Sequence, residues 1–518
     1  MGTLYQAARK RIKNLLLNIY PEEKLTQEFL DRLYALIEEH LEEVTCGLTK
    51  WDQTDTVLIT NGGSIVNAEE PPLQTLQKFL RQHLRDVIRC VHILPFFSYS
   101  NSDGSGIDGY RVDPALGSWQ DIEAIHQDFD LMMDLVTNPE SGQRQGFHNY
   151  PEGRSPEKDL FIEMLRVLFY YIHQGARIIS LDDVASLWKD QDTAFTRQPQ
   201  SHHIVKLIRE LAELINPDCI ILTETNMPAR QNISSFSHNF DEAHMIYQSP
   251  LPPLLLRAMH TGDATLLSRW ATTIPETDEE NTFLNFTASH DAIDVRPLEG
   301  ILPEDELNRM VEQMKDFGGC LETQSDGSES PYEINITWFD AMKGTTHGIN
   351  GLQKERFLCS QTIMMEMKGI PAFYLHALTA TENDHKEGVG TGKNRNINPK
   401  KRHLEELEER LNNRNHPAHQ IFHELKRLIG IRNGQPAFNP NAAQKVLELG
   451  PEFFVLRRMQ EPGETLWAVS NVTPRQRQVD LSRINSRVSL HDLISEKNFQ
   501  PDQTVALDPY QTLWLKQA

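Results

Sequence analysis

The sequence predicts an α/β protein: a (β/α)8 (TIM) barrel with a helical N-terminal extension, a small insertion after the seventh strand and a C-terminal antiparallel β domain. Three observations carry that expectation. The chain has 518 residues, too many for one minimal domain and well suited to a large barrel with appendages. Eight short apolar runs recur from residue 57 to residue 375, with helix-length amphipathic stretches between many of them. The runs lack polar/apolar alternation, as expected of parallel strands covered on both faces. The runner-up, an open doubly wound sheet, would place a Gly-rich phosphate loop after the first strand, and Thr60-Asn61-Gly62-Gly63-Ser64 is not one.

In chain order, residues 1–50 read as helical. Ile12, Leu15, Leu16 and Ile19 share one face, and Phe29, Leu30, Leu33, Leu36 and Ile37 share another. Pro21-Glu22-Glu23 between them reads as a helix start. The barrel is expected over 51–435, its strands at 57–59, 91–94, 131–136, 177–181, 219–222, 243–247, 283–286 and 372–375. Helices are expected at 73–85, 119–128, 160–173, 202–215 and 353–367. Residues 139–157 are rich in Pro, Gly, Asn and charge and read as a long loop after the third strand. Residues 295–340 hold a helix (304–317) and an apolar-aromatic segment (334–339), an inserted subdomain. From 436 to 518 the helical period gives way to short runs at 453–456, 466–469 and 513–515, an antiparallel β domain.

Composition limits the chemistry. With 39% apolar and 24% charged residues the chain can bury a sizeable core. A formal net charge of −22 argues against nucleic-acid or anionic-membrane partners. No apolar run is long enough to span a bilayer and no secretory signal is evident. The five scattered cysteines lack CxxC spacing and suit reduced thiols in a cytoplasmic protein, with no metal framework.

A barrel's active site lies where its strands end, so polar residues closing the apolar runs are the candidates. The fourth run closes on Ser180-Leu181-Asp182-Asp183, the fifth on Thr223-Glu224-Thr225-Asn226 and the seventh on Ser289-His290-Asp291; Asn138 closes the third. Single strand-end acids commonly cap the helix that follows. Three acids converging on one mouth suit glycosidic chemistry, one as nucleophile, one as acid/base and a third holding the distorted sugar. His202-His203 reads as a solvated helix start. Trp338, Phe339, Phe373 and Tyr374 sit at apolar positions and read as core before they read as sugar-stacking faces.

Asp134-x-x-x-Asn138, Leu181-Asp182, Thr223-Glu224-Thr225-Asn226 and Phe286-x-x-x-His290-Asp291 resemble the four ordered signature regions of the α-amylase superfamily of glycoside hydrolases. His92-Ile93-Leu94-Pro95-Phe96-Phe97, Leu116-Gly117-Ser118-Trp119, Arg296-Pro297-x-Glu299-Gly300 and Asn394-Arg395-x-Ile397-Asn398 resemble its sucrose phosphorylase-like subfamily, which includes glucosylglycerate and sucrose-6-phosphate phosphorylases. The resemblance implies retaining, phosphate-dependent α-glucosyl transfer, with an α-glucoside and phosphate as partners and no organic cofactor or metal. By that resemblance Asp182 matches the nucleophile, Glu224 the acid/base and Asp291 the transition-state stabiliser. His290, Arg395, Asn138 and Asp134 match positions around the sugar.

Several positions depart from the family pattern. The arginine two residues before the nucleophile is Ser180, the histidine after Asn138 is Pro139, and the acid after the first strand is Gly63, with Asn61 in place of its aromatic neighbour. Only 43 residues separate Asn138 from Asp182, where relatives insert a longer small domain, so 139–157 reads as its remnant. Ala292 and Asp294 stand where relatives have glycines, and Asp183 replaces a small residue but points to the other face from Asp182. These changes gather on the glucose subsite and predict weakened or lost turnover. The alternatives are a non-catalytic relative binding a sugar, a metabolite or a protein partner, and an enzyme with an altered donor.

Overall fold

A computed structural model describes residues 2–22, 25–41, 50–99, 107–135, 155–181, 184, 199–224, 236, 241–289, 292–323, 331–384, 401–460, 462–485 and 487–518. Eight parallel strands close into a barrel: β1 Val57–Asn61, β2 Cys90–Leu94, β3 Asp130–Leu135, β4 Ala176–Leu181, β5 Ile220–Thr223, β6 Met245–Tyr247, β7 Thr282–Asn285 and β8 Ile370–Tyr374. Each coincides with one of the eight apolar runs. Closure is made by β8 against β1, where Ala372 pairs with Val57. Cys90 through Leu94 are all buried, and so are Ile370 through Tyr374. A strand packed inside and out needs apolar side chains on both faces, which is why alternation is missing.

The connecting helices start where local chemistry lets them. Helix Trp119–His126 opens on a capping box in which Ser118 and Asp121 satisfy each other's backbone ends. Gly117 precedes it at φ 148°, where a Cβ would stand 2.6 Å from the Asp121 carboxylate. Only glycine fits there, a physical reason for the Leu116-Gly117-Ser118-Trp119 motif.

The N-terminal extension is helical, Gly2–Ile19 then Gln27–His40, and both predicted apolar faces turn inward. The first helix packs on helix Pro199–Ile215, with Arg11 bridging to Glu210 at 2.6 Å. The second starts later than Pro21-Glu22-Glu23 suggested. Thr26 is its N-cap, accepting from the Phe29 N–H at 3.3 Å, because a side-chain oxygen satisfies a free helix N–H and proline cannot. The His202-His203 expectation is also corrected. Helix Pro199–Ile215 has already begun there, and His202 Nδ1 lies 2.8 Å from the fully buried Glu242 carboxylate.

After β7 the insertion forms a three-stranded antiparallel sheet, Ile293–Asp294, Pro331–Asn335 and Cys320–Thr323, with helix Glu304–Asp316 beside it. The C-terminal region is a six-stranded antiparallel sheet centred on Phe453–Met459, Thr465–Asn471 and Thr512–Gln517. Helix Gln353–Glu366 joins it to the barrel, its buried Arg356 donating to Tyr510 Oη at 3.0 Å. Of the loop expected at 139–157, residues 139–154 lie outside the described residues and 155 already begins helix Ser155–His173. No helix among the described residues is long and apolar enough to cross a membrane. Cys90, Cys219, Cys320 and Cys359 are free thiols.

Candidate active site

Strands β3, β4 and β5 end in register, and their ends build one flank of the barrel mouth. Asp134 pairs with Ser180, Ser180 with Leu222, and Leu181 with Thr223. Glu224 follows directly, and its N–H donates to the Leu181 carbonyl at 3.2 Å. The backbone of Glu224 is thereby tied to the residue that precedes Asp182. Its half-buried side chain lines a cavity in the mouth.

Of the other predicted site residues, Asp134 is buried and lies 2.9 Å from His92 Nε2. Residues at the same register on adjacent parallel strands share a face, so Ser180, only 1% exposed, stands beside Asp134. An arginine at 180 would have met this carboxylate. Asp182, Asp291, His290, Asn138 and Arg395 lie outside the described residues. Ser289 and Ala292, which flank His290-Asp291, both line the cavity.

The rest of the cavity wall comes from the ends of β6–β8 and from the insertion. Asp294 and Glu333 line it as direct cross-strand partners, and Arg296 closes on Asp294 at 3.0 Å. Arg296, a member of the Arg296-Pro297-x-Glu299-Gly300 motif, is thus held by the Asp294 carboxylate. Ala292 and Asp294 border the cavity without closing it. Trp338 and Tyr374, 1% and 6% exposed, belong to the core as expected, yet each also reaches the wall. None of the described lining residues is Lys or Arg.

Gly63 is half-buried, and a Cβ there would meet only Leu116, at an ordinary contact distance of 3.4 Å. Space for a larger side chain remains. Among the described residues no three His, Cys, Asp or Glu side chains converge as metal ligands. Sequence reasoning missed His376, which lines the cavity just past β8 and is 3% exposed. The signal was available, since His376 is the first polar residue after the eighth apolar run. Burial, with Arg402 adding to it, depresses its imidazole to about 3, so the ring is neutral.

No protein-family model matches the chain. It is 34% identical over 542 residues to a glucosylglycerate phosphorylase of Spirochaeta thermophila, covering 92% of this chain and 92% of that protein. The chain belongs to the sucrose phosphorylase family of the α-amylase superfamily. A second relative, a glucosylglycerate phosphorylase of Allomeiothermus silvanus, is 35% identical over 562 residues, covering 95% of this chain and 99% of the relative. Both alignments run longer than this chain's 518 residues, so these family members carry segments with no counterpart here. The crystal structure of a sucrose 6F-phosphate phosphorylase from Thermoanaerobacter thermosaccharolyticum superposes with a TM-score of 0.66 at 18% identity. It covers 88% of this chain and 97% of that one, a likeness of fold.

Proposed function

We propose that the protein transfers an α-glucosyl group from an α-glucoside such as glucosylglycerate to phosphate, with retention, at a rate far below that of its relatives. The observation that carries this is Glu224, opening on the cavity from the end of β5 in a chain similar over nearly its whole length to glucosylglycerate phosphorylases. In this reading the Asp182 carboxylate attacks the anomeric carbon while Glu224 gives its proton to the departing oxygen. A phosphate oxygen then attacks the β-glucosyl-enzyme, Asp182 leaves and Glu224 takes the proton back. Asp291 and His290 hold the sugar hydroxyls, with Arg395, Asn138 and Asp134 around them.

The low rate follows from what Ser180 lacks. A fixed guanidinium beside the nucleophile would keep it ionised and oriented, and a buried serine does neither. Loss of one such preorganised group commonly costs on the order of 10²–10³ in rate. The short span between Asn138 and Asp182, with 139–157 read as a remnant of the family's inserted domain, gives the chain less sequence with which to enclose a mouth, and a less enclosed site stabilises charge more weakly. The segments present only in the relatives support that reading.

A second reading, a sugar-binding relative without turnover, is favoured by the lack of Lys or Arg among the described lining residues. One experiment separates the two. Glucosylglycerate, sucrose and sucrose 6-phosphate are each incubated with phosphate at high protein concentration, and glucose 1-phosphate is measured. Product above the Glu224→Gln background supports phosphorolysis. Product equal to that background with every donor overturns it, and binding that survives Asp182→Asn then establishes the second reading.

A further inference from the structure

Among the described residues, buried histidines differ in how far the protein satisfies them, and His92 spends one nitrogen, on Asp134. His244 accepts the Ile221 N–H at Nδ1 (2.9 Å) and sets Nε2 2.7 Å from Glu213. His260 sets Nδ1 3.2 Å from the Gln313 side-chain oxygen and Nε2 2.7 Å from the Ala341 carbonyl. Each spends both ring nitrogens on the protein, as a structural core histidine should. His376 is equally buried and spends neither: Nδ1 and Nε2 have no hydrogen-bond partner among the described residues. Its ring packs edge-on to the Tyr374 ring at 5.1 Å.

Leaving two buried polar atoms without hydrogen bonds is costly. Such a cost is tolerated where a ligand completes the bonds. His376 is where that would happen, since it lines the cavity that Glu224 opens onto.

We propose that His376 is a ligand-binding residue of this cavity, hydrogen-bonding the hydroxyls of an uncharged polyol, the glucosyl part of the substrate. The inference deepens the functional reading above and rests on this cavity being the sugar site. The chemistry selects the ligand class. A neutral imidazole offers one donor and one acceptor, which matches hydroxyl groups, each of which donates and accepts. An anion only accepts, and so can use just one of the two ring nitrogens. Trp338 and Tyr374 supply apolar faces for the sugar's C–H surface. The sector between β6 and β8 therefore seats the neutral end of a glucoside, and phosphate or a carboxylate-bearing aglycone is held elsewhere.

The test is direct binding, which does not depend on turnover. Isothermal titration of wild type, His376→Phe and His376→Gln uses glucose, methyl α-glucoside and glycerol as neutral probes, with D-glycerate and inorganic phosphate as anionic ones. Phenylalanine fills the imidazole's space and removes both nitrogens. His376→Phe should melt at the wild-type temperature or higher and bind glucose and methyl α-glucoside at least tenfold more weakly, with anion binding changed less than twofold. His376→Gln, which keeps a donor and an acceptor, should recover most of the affinity. A purely structural histidine predicts the reverse pattern, a lower melting temperature with unchanged sugar affinity, and that result overturns the proposal. So does a wild type that binds none of the neutral probes, or loss of folding in both variants. If wild type binds sugars in a His376-dependent way yet makes no glucose 1-phosphate, the phosphorylase reading fails and this one stands.

Discussion

The two ends of strand β4 carry opposite solutions to the same problem of buried charge. At its start, Arg177 donates to Asp55 at 2.6 Å, to Asp130 at 2.9 Å and to the Lys50 carbonyl. The guanidinium is pinned on three sides, and the two carboxylates raise its pKa against burial. At the other end, three residues on, stands the uncharged Ser180, and the Asp134 carboxylate beside it lies against His92. The N-terminal face of such a barrel maintains the fold and the C-terminal face does the chemistry. Here the start of the strand holds a paired arginine and its far end an uncharged, buried serine. On the functional reading proposed above, the chain holds its fold firmly at one end of this strand and turns over slowly at the other.

The largest expected effect lies at the mouth. Glu224→Gln should remove residual glucose 1-phosphate formation by about 10³-fold, within the usual span for an acid/base group. Urea unfolding should shift by less than about 0.5 kcal/mol, because Glu224 is half-exposed and its tie to Leu181 runs through the backbone. A large loss of stability would make Glu224 a structural acid and dissolve the division between the two ends.

The opposite outcome is expected at the strand's start. Arg177→Met strands Asp55, which is 3% exposed, and weakens the hold on Asp130. Breaking a buried pair from one side costs about 3–5 kcal/mol. Arg89, 3.3 Å from both carboxylates, should hold the loss near the lower figure. Urea denaturation measures it, and a change under about 1 kcal/mol would show that the network carries no stability.

A third variant tries to restore the missing half of the comparison. Ser180→Arg with Gly63→Asp returns the guanidinium beside Asp134 and an acid where the structure leaves room for one. If Ser180 limits turnover, glucose 1-phosphate formation should rise by about 10²-fold, the scale of one preorganised electrostatic group. A folded double variant with unchanged rate would transfer the deficit to the shortened 139–157 segment.

Much of this was legible in the sequence, for identifiable reasons. All eight barrel strands could be read because strands buried on both faces leave uninterrupted apolar runs, and Glu224 could be read because it closes one of them. Partnership was not legible. Arg177 looks like any basic residue opening a strand until the fold brings Asp55 and Asp130 from 122 and 47 residues away. His202 read as solvated because Glu242, its buried partner, lies 40 residues on. For His376 the sequence shows a polar residue after an apolar run but not its environment, and only the fold shows that both nitrogens lack a partner among the described residues. Thr26 displaced Pro21 as a helix start because capping geometry outranks composition.

The smallest effect concerns acid. Burial holds His376 at about 3 and His260 at about 4, against 6.5 for a free imidazole. Around His376 the charged group that counts is Arg402, and around His260 it is Arg356; both oppose protonation. Above pH 6.5 neither the folded nor the unfolded state binds a proton at these rings, so their contribution to stability is fully present. As pH falls below 6.5 the unfolded chain takes up protons that the folded chain refuses, and stability drops by about 1.4 kcal/mol per pH unit for each histidine. Urea unfolding at pH 7, 6, 5 and 4.5 should show this fall, and His376→Phe should remove one proton's share of the slope. An unchanged slope in that variant would mean that the ring is already protonated in the folded mouth, held there by Glu224, Asp294 or Glu333. The cavity would then be the charge-paired end of the barrel, matching the Arg177 network below it.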